Sequence, residues 1–445
     1  MGRCHGSHAG LLPFRAQRHA AIRFGRGLMN PNPSGQVATV LDDTSRTLMQ
    51  GGRKSFSFLD INTFFSRRAG GIRAFYEARI KHFSGQTDHR YVLIHPGSRF
   101  SWRNNDQNVS TAEIYGPVVS RDPSGYRFML DYAAVNRVIR GSRPDVIEVG
   151  EPWLSGLFCL LIKKLGLYRG LLVSYFHSDP ILTHLSPWAN RGAFQTLRKA
   201  IVLRPLAALF YRVQRSYDLT VVSSRVMQSR LQSRGIPVAV VPLGIPQIYL
   251  EAPLALRKTT ADKGEIKLLF VGRLNIEKGI ELIRDTISPL LALDHVRVTV
   301  IGRGGAEGFF SKLNHPRFDY RGFVEDPMDV RKIYDDHDIL LAPGPFESFG
   351  LAVVEAMARG LVVVGPDTGG TGELLRDANS RFVFRANDSD DFQRAIMRAM
   401  ECDWIEEAAA AREFALKQGT IDLAMTRIAD LYVTRLSNNI ASRSS

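Results

Sequence analysis

At 445 residues the chain is too long for one hydrophobic core and suits two or three domains. Apolar residues at 44% and charged residues at 23% are those of an ordinary globular protein. The formal net charge of +14 implies attraction to something anionic: a nucleotide, nucleic acid or an acidic membrane face. Three scattered cysteines, Cys4, Cys159 and Cys402, argue against a disulfide framework or a cysteine zinc site and favour a reducing compartment.

The first 41 residues contain no Asp or Glu but carry Arg3, Arg15, Arg18, Arg23 and Arg26. Such composition fits a transit peptide. The preferred reading is a poorly ordered basic extension over 1–50, with Met29 as the functional start. No sustained apolar stretch follows the early charges, which disfavours a secretory signal. The best candidate for a membrane span, Leu154 to Leu172, is broken by Lys163, Lys164 and Arg169.

From about Lys54, short apolar runs alternate with longer amphipathic ones. SFSFLDI, RYVLIHP, DVIEVG, LLVSYFH, DLTVVSS and AVVPLG read as strands. IRAFYEARIKHF, FMLDYAAVNRVIR and AFQTLRKAIVLRPLAALFYRVQRS read as the helices between them. The alternation pauses at 251–265 and restarts with IKLLFVG, VRVTVIG, FDYRGFV, DILLAP, GLVVVGP and RFVFRA. Strands alternating with helices predict parallel sheets covered on both faces. The fold expected is α/β, two Rossmann-like doubly wound parallel-sheet domains facing a cleft. Their bounds are 51–250 and 266–425, joined by a linker at 251–265. Residues 426–445 form a C-terminal helix and tail with the option of crossing back.

Ligands of such sheets bind at the carboxyl ends of the strands. In FVGRLNIEKG, residues 270–279, Arg273 and Lys278 follow a strand end, and two cations there suit a pyrophosphate. An exposed loop with two ordinary basic residues explains them equally well. Gly70-Gly71 in SRRAGGIRAF lets backbone N–H groups approach an anion, though a tight turn accounts for the pair as readily. Neither a P-loop nor GxGxxG is present. In FESFGLAVVEAMARG, residues 346–360, the N-terminus of a short helix near Phe349–Leu351 offers free N–H groups. Glu347 lies just outside that helix and Glu355 about a turn inside, roughly 12 Å apart if the stretch were fully helical. Carboxylates beside an anion site suit the hydroxyls on either side of a diphosphate. The competing reading of Glu355 is a structural acid paired with an arginine elsewhere.

FVGRLNIEKG and PFESFGLAVVEAMARGLVVVGPDTGGTGEL together resemble the donor-domain signature of the family-four retaining glycosyltransferases with the GT-B fold. AGGI near the start, RPDVIEV, SYFHSDP and VVSSRVMQSRLQSRG extend the resemblance over most of 55–435. The resemblance implies that Glu355 binds the ribose of a nucleotide sugar. Glu347 would bind the transferred sugar, helped by N–H groups of Phe349, Gly350 and Leu351. Arg273 and Lys278 would hold the diphosphate as leaving group, and Gly71 would close over it. His177 would lie near the sugar C6 and anomeric centre, although a satisfied strand-end histidine is the plainer reading. Phe323 and Val324 fall where such enzymes hold the base. The family generally needs no metal or other cofactor, and Asp335-Asp336-His337-Asp338 leads into a strand and reads as structural. One departure is Pro246 in VPLGIPQIYL, where such enzymes commonly carry an Asp.

Between Ile181 and Val240 there are nine Lys or Arg residues and one acid, Asp218. A basic amphipathic stretch of this kind suits an anionic membrane surface or an ordinary solvated helix. No recognised module or aromatic–basic platform points to nucleic acid. The expectation is an α-forming, metal-independent hexosyltransferase, cytoplasmic or at the cytoplasmic membrane face. It would take a UDP- or GDP-linked sugar and a glycan or lipid-linked acceptor. The alternatives are a nucleotide-sugar epimerase or a phosphorylase of the same fold, and a non-catalytic nucleotide-sugar-binding protein.

Overall fold

Runs of Val, Ile, Leu and Phe that are apolar at every position pair as strands covered on both sides. The computed structural model describes residues 55–65, 70–85, 88–118, 127–151, 153–185, 195–251 and 264–444. The extension expected at 1–50, most of the linker and residues 66–69 of SRRAGGIRAF lie outside them.

The first sheet contains β1 (Ser57–Ile61), β2 (Arg90–Gly97), β3 (Ser101–Asn104), β4 (Val109–Tyr115), β5 (Val146–Val149), β6 (Leu171–Tyr175), β7 (Leu219–Val222) and β8 (Val238–Val240). Its order is β3-β4-β2-β1-β5-β6-β7-β8, with central β1 paired to both β2 and β5. Every pairing is parallel except β3 with β4. Between the strands run α1 (Gly71–Gly85), α2 (Tyr132–Ser142), α3 (Leu154–Lys164), α4 (Arg204–Gln214) and α5 (Arg225–Gln232). The stretch read as one helix over 193–216 is instead broken. A short helix at Gln195–Arg198 meets a π-turn at Lys199–Leu203, and α4 begins with Pro205 in its first turn. Proline there donates no N–H that the helix needs.

The second sheet contains β9 (Ile266–Val271), β10 (Val296–Ile301), β11 (Phe318–Gly322), β12 (Ile339–Leu341), β13 (Val362–Pro366) and β14 (Val383–Phe384). It is wholly parallel in the order β11-β10-β9-β12-β13-β14. The chain starts in the middle, winds one way and then the other. The switch point therefore lies between the carboxyl ends of β9 and β12. Its helices are α6 (Ile280–Leu291), α7 (Pro327–Asp335), α8 (Leu351–Ala358), α9 (Gly369–Asp377), α10 (Ser389–Glu401) and α11 (Trp404–Gln418).

The last helix, α12 (Ile421–Ser444), returns to the first sheet. Its Ala424, Met425, Ile428 and Tyr432 join Phe58, Phe75 and Phe83 in one buried cluster. Each large apolar side chain buried there stabilises by about 1.5–3 kcal/mol. The outgoing crossing lies beside the returning one. Ile245 N–H donates to Gly419 O at 3.0 Å, and Ile421 N–H donates to Ile245 O at 3.0 Å. Pro246, at the departure from the family pattern, opens the one-turn helix at Gln247–Leu250. Among the described residues no helix is long and apolar enough to cross a membrane.

The carboxyl edges of the two sheets meet at several points. A Cβ built on Gly71 would lie 3.8 Å from Leu351 Cδ2. Arg73 Nη1 stands 3.6 Å from Glu325 Oε1. The Glu373 carboxylate accepts from the N–H groups of Arg225 and Val226 at 3.0 and 2.8 Å, capping α5 from the opposite sheet.

Candidate active site

The loops after β9 and β12 are pressed together at the switch point. Ile276–Lys278 forms a single 3-10 turn ended by Gly279 at φ 70°. A Cβ on Gly279 would sit 2.5 Å from Pro343 O, so only glycine permits both the turn and the contact. The approach delivers Lys278 Nζ to Glu347 Oε1, where the two form an ion pair. Arg273, half-exposed beside it, places Nη2 3.2 Å from Glu277 Oε1. The loop after β9 thus carries two cations, Arg273 paired with Glu277 and Lys278 paired with Glu347 ahead of α8.

Gly350, at φ 97°, caps α8 at its N-terminus. Its carbonyl accepts from Val353 and Val354 N–H, which leaves the N–H groups of Phe349, Gly350 and Leu351 without an acceptor among the described residues. The loop ahead of α8 is held by α9. Gly370 N–H donates to Glu347 O at 2.6 Å, and a Cβ on Gly370 would fall 2.6 Å from Phe349 O. The Gly369-Gly370 pair therefore acts as a backbone shelf beneath Glu347, a role the sequence reading did not give it.

Glu355 projects from α8 with buried Val353, Val354, Ala356 and Met357 around it. Burial pushes its carboxyl up to about 8, opposed only by a hydrogen bond from Tyr334 Oη at 3.1 Å. It retains a partial opening to solvent. No arginine or lysine pairs with Glu355 among the described residues, which removes the structural ion pair as an explanation. Tyr334, on α7, is the partner that sequence reasoning missed. Val324, after β11, packs on the core layer that also holds Val353, Val354 and Tyr334, and Phe323 beside it is half-buried.

His177 follows β6 on the other sheet. Its ring meets those of Phe75, Tyr76 and Tyr175 at 5.1, 5.8 and 4.6 Å, and Nε2 lies 3.4 Å from Tyr76 Oη. Burial, with the Arg79 charge beneath, lowers its pKa to about 3, so the imidazole is neutral at physiological pH. Arg79 is itself buried between Glu148 at 2.6 Å and Asp60 at 3.2 Å, and Tyr432 of α12 donates to Glu148. The structure thus gathers Lys278, Glu347, Phe349, Gly350, Leu351, Glu355 and Gly71 around α8, with Arg273 on the loop that carries Lys278. The contacts of His177 are with its own sheet and α1.

The acidic run 335–338 is committed to the scaffold. Asp335 pairs with buried Arg359 at 2.7 Å, Asp336 with Lys267 at 2.7 Å, and Asp338 accepts from Lys267 N–H at 2.8 Å. His337 reaches Thr299 Oγ1 at 2.8 Å. Among the described residues no group of three His, Cys, Asp or Glu is placed to hold a metal ion.

Comparison with known proteins matches both halves of the chain. The family described as Glycosyltransferase Family 4 matches residues 70–247, and that described as Glycosyl transferases group 1 matches 265–402. A GDP-mannose-dependent alpha-(1-6)-phosphatidylinositol dimannoside mannosyltransferase of Mycobacterium tuberculosis is 24% identical over 332 residues, 71% of this chain and 81% of that protein. A GDP-mannose-dependent alpha-mannosyltransferase of Corynebacterium glutamicum is 28% identical over 379 residues, 79% of this chain and 83% of that protein. Among solved structures, sucrose-phosphate synthase of Thermosynechococcus elongatus superposes with a TM-score of 0.68 at 15% identity, covering 86% of this chain and all of that one. An E. coli structure with bound UDP-2-fluoro glucose gives 0.59 at 15% identity over 84% of this chain and 99% of that one. These structural likenesses show the fold. With the N-terminal and C-terminal halves each matched on their own sheet, the chain belongs to the family-four glycosyltransferases with the GT-B fold and is a hexosyltransferase.

Proposed function

We propose that the chain transfers a hexose, with retention of anomeric configuration, from a nucleoside-diphosphate sugar to a glycan or lipid-linked acceptor. The observation that carries this reading is the pair of contrasting carboxylates around one free helix N-terminus. Glu347 is neutralised by Lys278 outside it, and Glu355 stands without a cation inside it. Arg273, Lys278 and the N–H groups of Gly350 and Leu351 hold the diphosphate, with Gly71 closing over it. Glu355 takes the ribose hydroxyls, Phe323 and Val324 flank the base, Glu347 takes the sugar hydroxyls, and His177 lies toward C6.

In the step itself the bond from C1 to the β-phosphate oxygen breaks and leaves its electron pair on that oxygen. The acceptor oxygen bonds to C1 on the same face and gives its proton to the departing phosphate. Charge on the leaving group is stabilised by the two cations and the helix N-terminus, so the site requires no metal. The donor domain is 266–425 and the acceptor domain 51–250.

Lipid-phase acceptors are supported by a surface on the first sheet. Leu154, Leu157 and Leu161 line one face of α3 and are each about half exposed, with Leu165 and Leu167 beyond them. Leu197, Ile201, Val202 and Leu209 are exposed as well, interspersed with Arg204 and Arg212. The ring of Trp153, at the head of α3, meets that of Phe210 of α4 at 5.4 Å with the planes tilted by 45°, so the two helices are neighbours. Such a surface fits peripheral contact with an anionic membrane at its cytoplasmic face. The Mycobacterium tuberculosis relative, named for a phosphatidylinositol dimannoside acceptor, agrees with it.

The test is a thermal-shift screen with UDP, GDP and ADP, followed by transfer from labelled GDP-mannose and UDP-glucose. One nucleoside diphosphate should raise the melting temperature by mass action, and its sugar should appear in an α-linked product. No shift with any of the three at millimolar concentration overturns the donor-site reading.

A further inference from the structure

A pocket of about 500 Å³ opens away from the active site, at the amino ends of the first sheet. Arg90, which opens β2, and Arg137 of α2 line it, and no carboxylate does. Among the described residues neither guanidinium makes an ion pair with an acid, whereas Arg73, Arg79, Arg225, Arg230 and Arg273 each have a carboxylate partner. Two positive charges therefore face one cavity with no carboxylate partner among the described residues.

The cavity exists because the sheet outruns its helical cover. Antiparallel β3 adds an edge strand beyond β4, with Trp102 opposite Ala112 and Asn104 opposite Ser110. Alternation along a strand places Trp102 on the face that α2 covers at Ala112, but past the end of that cover. Trp102 stays 45% exposed and Phe100 51% exposed, unusual values for such large apolar side chains. Trp102 Nε1 donates to Asn104 Oδ1 at 2.7 Å, which fixes the indole plane. Arg137 lies 5.9 Å from the Phe100 ring centre. Gln107 and Asn108 supply amides on the hairpin turn, and Gly141 of α2 has open space where a Cβ would stand.

We propose that this pocket is a second saccharide-binding site, taking a sugar that carries a phosphate or carboxylate group, separate from the active site. The apolar face of a sugar ring stacks on the fixed aromatic planes, and its hydroxyls meet the amides. The anionic group meets two guanidiniums, whose forked donors match phosphate or carboxylate geometry. The volume suits one or two sugar rings. Nothing in the inference depends on the reading of the donor site.

Isothermal titration of the full chain with glucose 6-phosphate tests it, with glucose, inorganic phosphate and UMP as comparison probes. One saturable site is expected for glucose 6-phosphate, bound at least about tenfold tighter than glucose or phosphate. Arg137→Ala and Trp102→Ala should each weaken it about tenfold while leaving the nucleoside-diphosphate thermal shift unchanged. Displacement of glucose 6-phosphate by a nucleoside diphosphate would move the binding to the active site and overturn the proposal. So would unchanged affinity in both variants, phosphate or UMP binding as tightly, or no saturation by about 10 mM.

Discussion

The Lys278 ammonium donates to Glu347 Oε1 and joins two loops that are 69 residues apart in sequence. The pair neutralises two groups that the proposed donor would use differently, the cation on the diphosphate and the acid on the sugar. Removing each partner should therefore separate binding from transfer. Glu347→Ala should lower transfer at least about 100-fold, in line with losing one interaction made in the transition state. Its affinity for the nucleoside diphosphate should hold or tighten, since Lys278 is released. Lys278→Ala should weaken that affinity about tenfold or more as well as transfer. Calorimetry with the nucleoside diphosphate and steady-state transfer kinetics read the two effects. Equal loss of nucleotide binding in both variants would sink the division of roles.

Glu355 gives a pH signature. Its folded-state pKa is raised from 4.5 to about 8, chiefly by burial. Between those values the folded state holds a proton that the unfolded chain has lost. The contribution is therefore full below about pH 4.5 and disappears as pH rises through 8. Glu355→Gln removes the titration. The variant should gain on the wild type by about 1–3 kcal/mol between pH 5 and pH 8.5, a range reduced for the residual solvent access of the carboxyl. Urea unfolding at the two pH values measures this, and parallel pH dependence in the two proteins contradicts it. Nucleoside-diphosphate affinity should tighten over the same interval in the wild type, as the carboxylate becomes the stronger acceptor for ribose hydroxyls.

Glu373 bridges the two sheets through the N–H groups of Arg225 and Val226, and Arg225 also pairs with Asp377. These contacts tie a helix start in one domain to α9, whose Gly369-Gly370 supports Glu347 in the other. Glu373→Ala should shift the chain toward a more open arrangement. Its radius of gyration by X-ray scattering should increase, and the donor KM should rise about fivefold to tenfold. Because Arg225 is exposed, unfolding free energy should change by less than about 1 kcal/mol. An unchanged scattering profile together with unchanged KM would show that the contact does not set the spacing of the two domains.

Arg79 provides the counterpart in the core. It is buried among Asp60, Glu148 and, through Glu148, Tyr432 of the returning α12. Arg79→Met leaves two carboxylates without a cation and should destabilise by about 3–5 kcal/mol. Tyr432→Phe removes one hydrogen bond and should cost about 1–3 kcal/mol. Chemical denaturation of both variants tests the ordering, and a Tyr432→Phe loss exceeding that of Arg79→Met would refute it.

The parts of this architecture that were legible in sequence share one property: their signal is local. Apolar runs marked most of the strands of both sheets, and glycine at strand ends marked the ligand edge. The β3–β4 hairpin escaped because β3 is short and mostly exposed, so SWRN carries no apolar period. The π-turn at Lys199–Leu203 escaped because its composition is that of a helix. In the site, Glu347, Glu355, Arg273 and Lys278 stood out by residue type against their neighbours. Tyr334 did not, since an ordinary tyrosine 21 residues from Glu355 becomes its partner only when α7 packs on α8. Gly369-Gly370 lies within the PFESFGLAVVEAMARGLVVVGPDTGGTGEL motif, but its function as a shelf depends on a backbone approach that no periodicity encodes.

The leucine face of α3 makes the last test. Leu154, Leu157 and Leu161 recur at a spacing that keeps them within one helix face, and each leaves about half its surface in contact with solvent. A scaffold role does not account for them, because α3 packs inward through Ser155, Gly156, Cys159 and Ile162 instead. If the face enters a lipid interface, Leu157→Asp with Leu161→Asp should lower binding to vesicles containing phosphatidylserine at least about 100-fold, from the apolar area lost. Arg204→Glu with Arg212→Glu should weaken binding about tenfold or more, and the wild-type affinity should fall as salt rises. Neither pair should alter the nucleoside-diphosphate thermal shift, since all four side chains lie outside the donor loops. Vesicle flotation with neutral and anionic lipids reads the outcome. A wild-type chain that leaves anionic vesicles unbound at low salt would refute the membrane contact while leaving the donor site untouched.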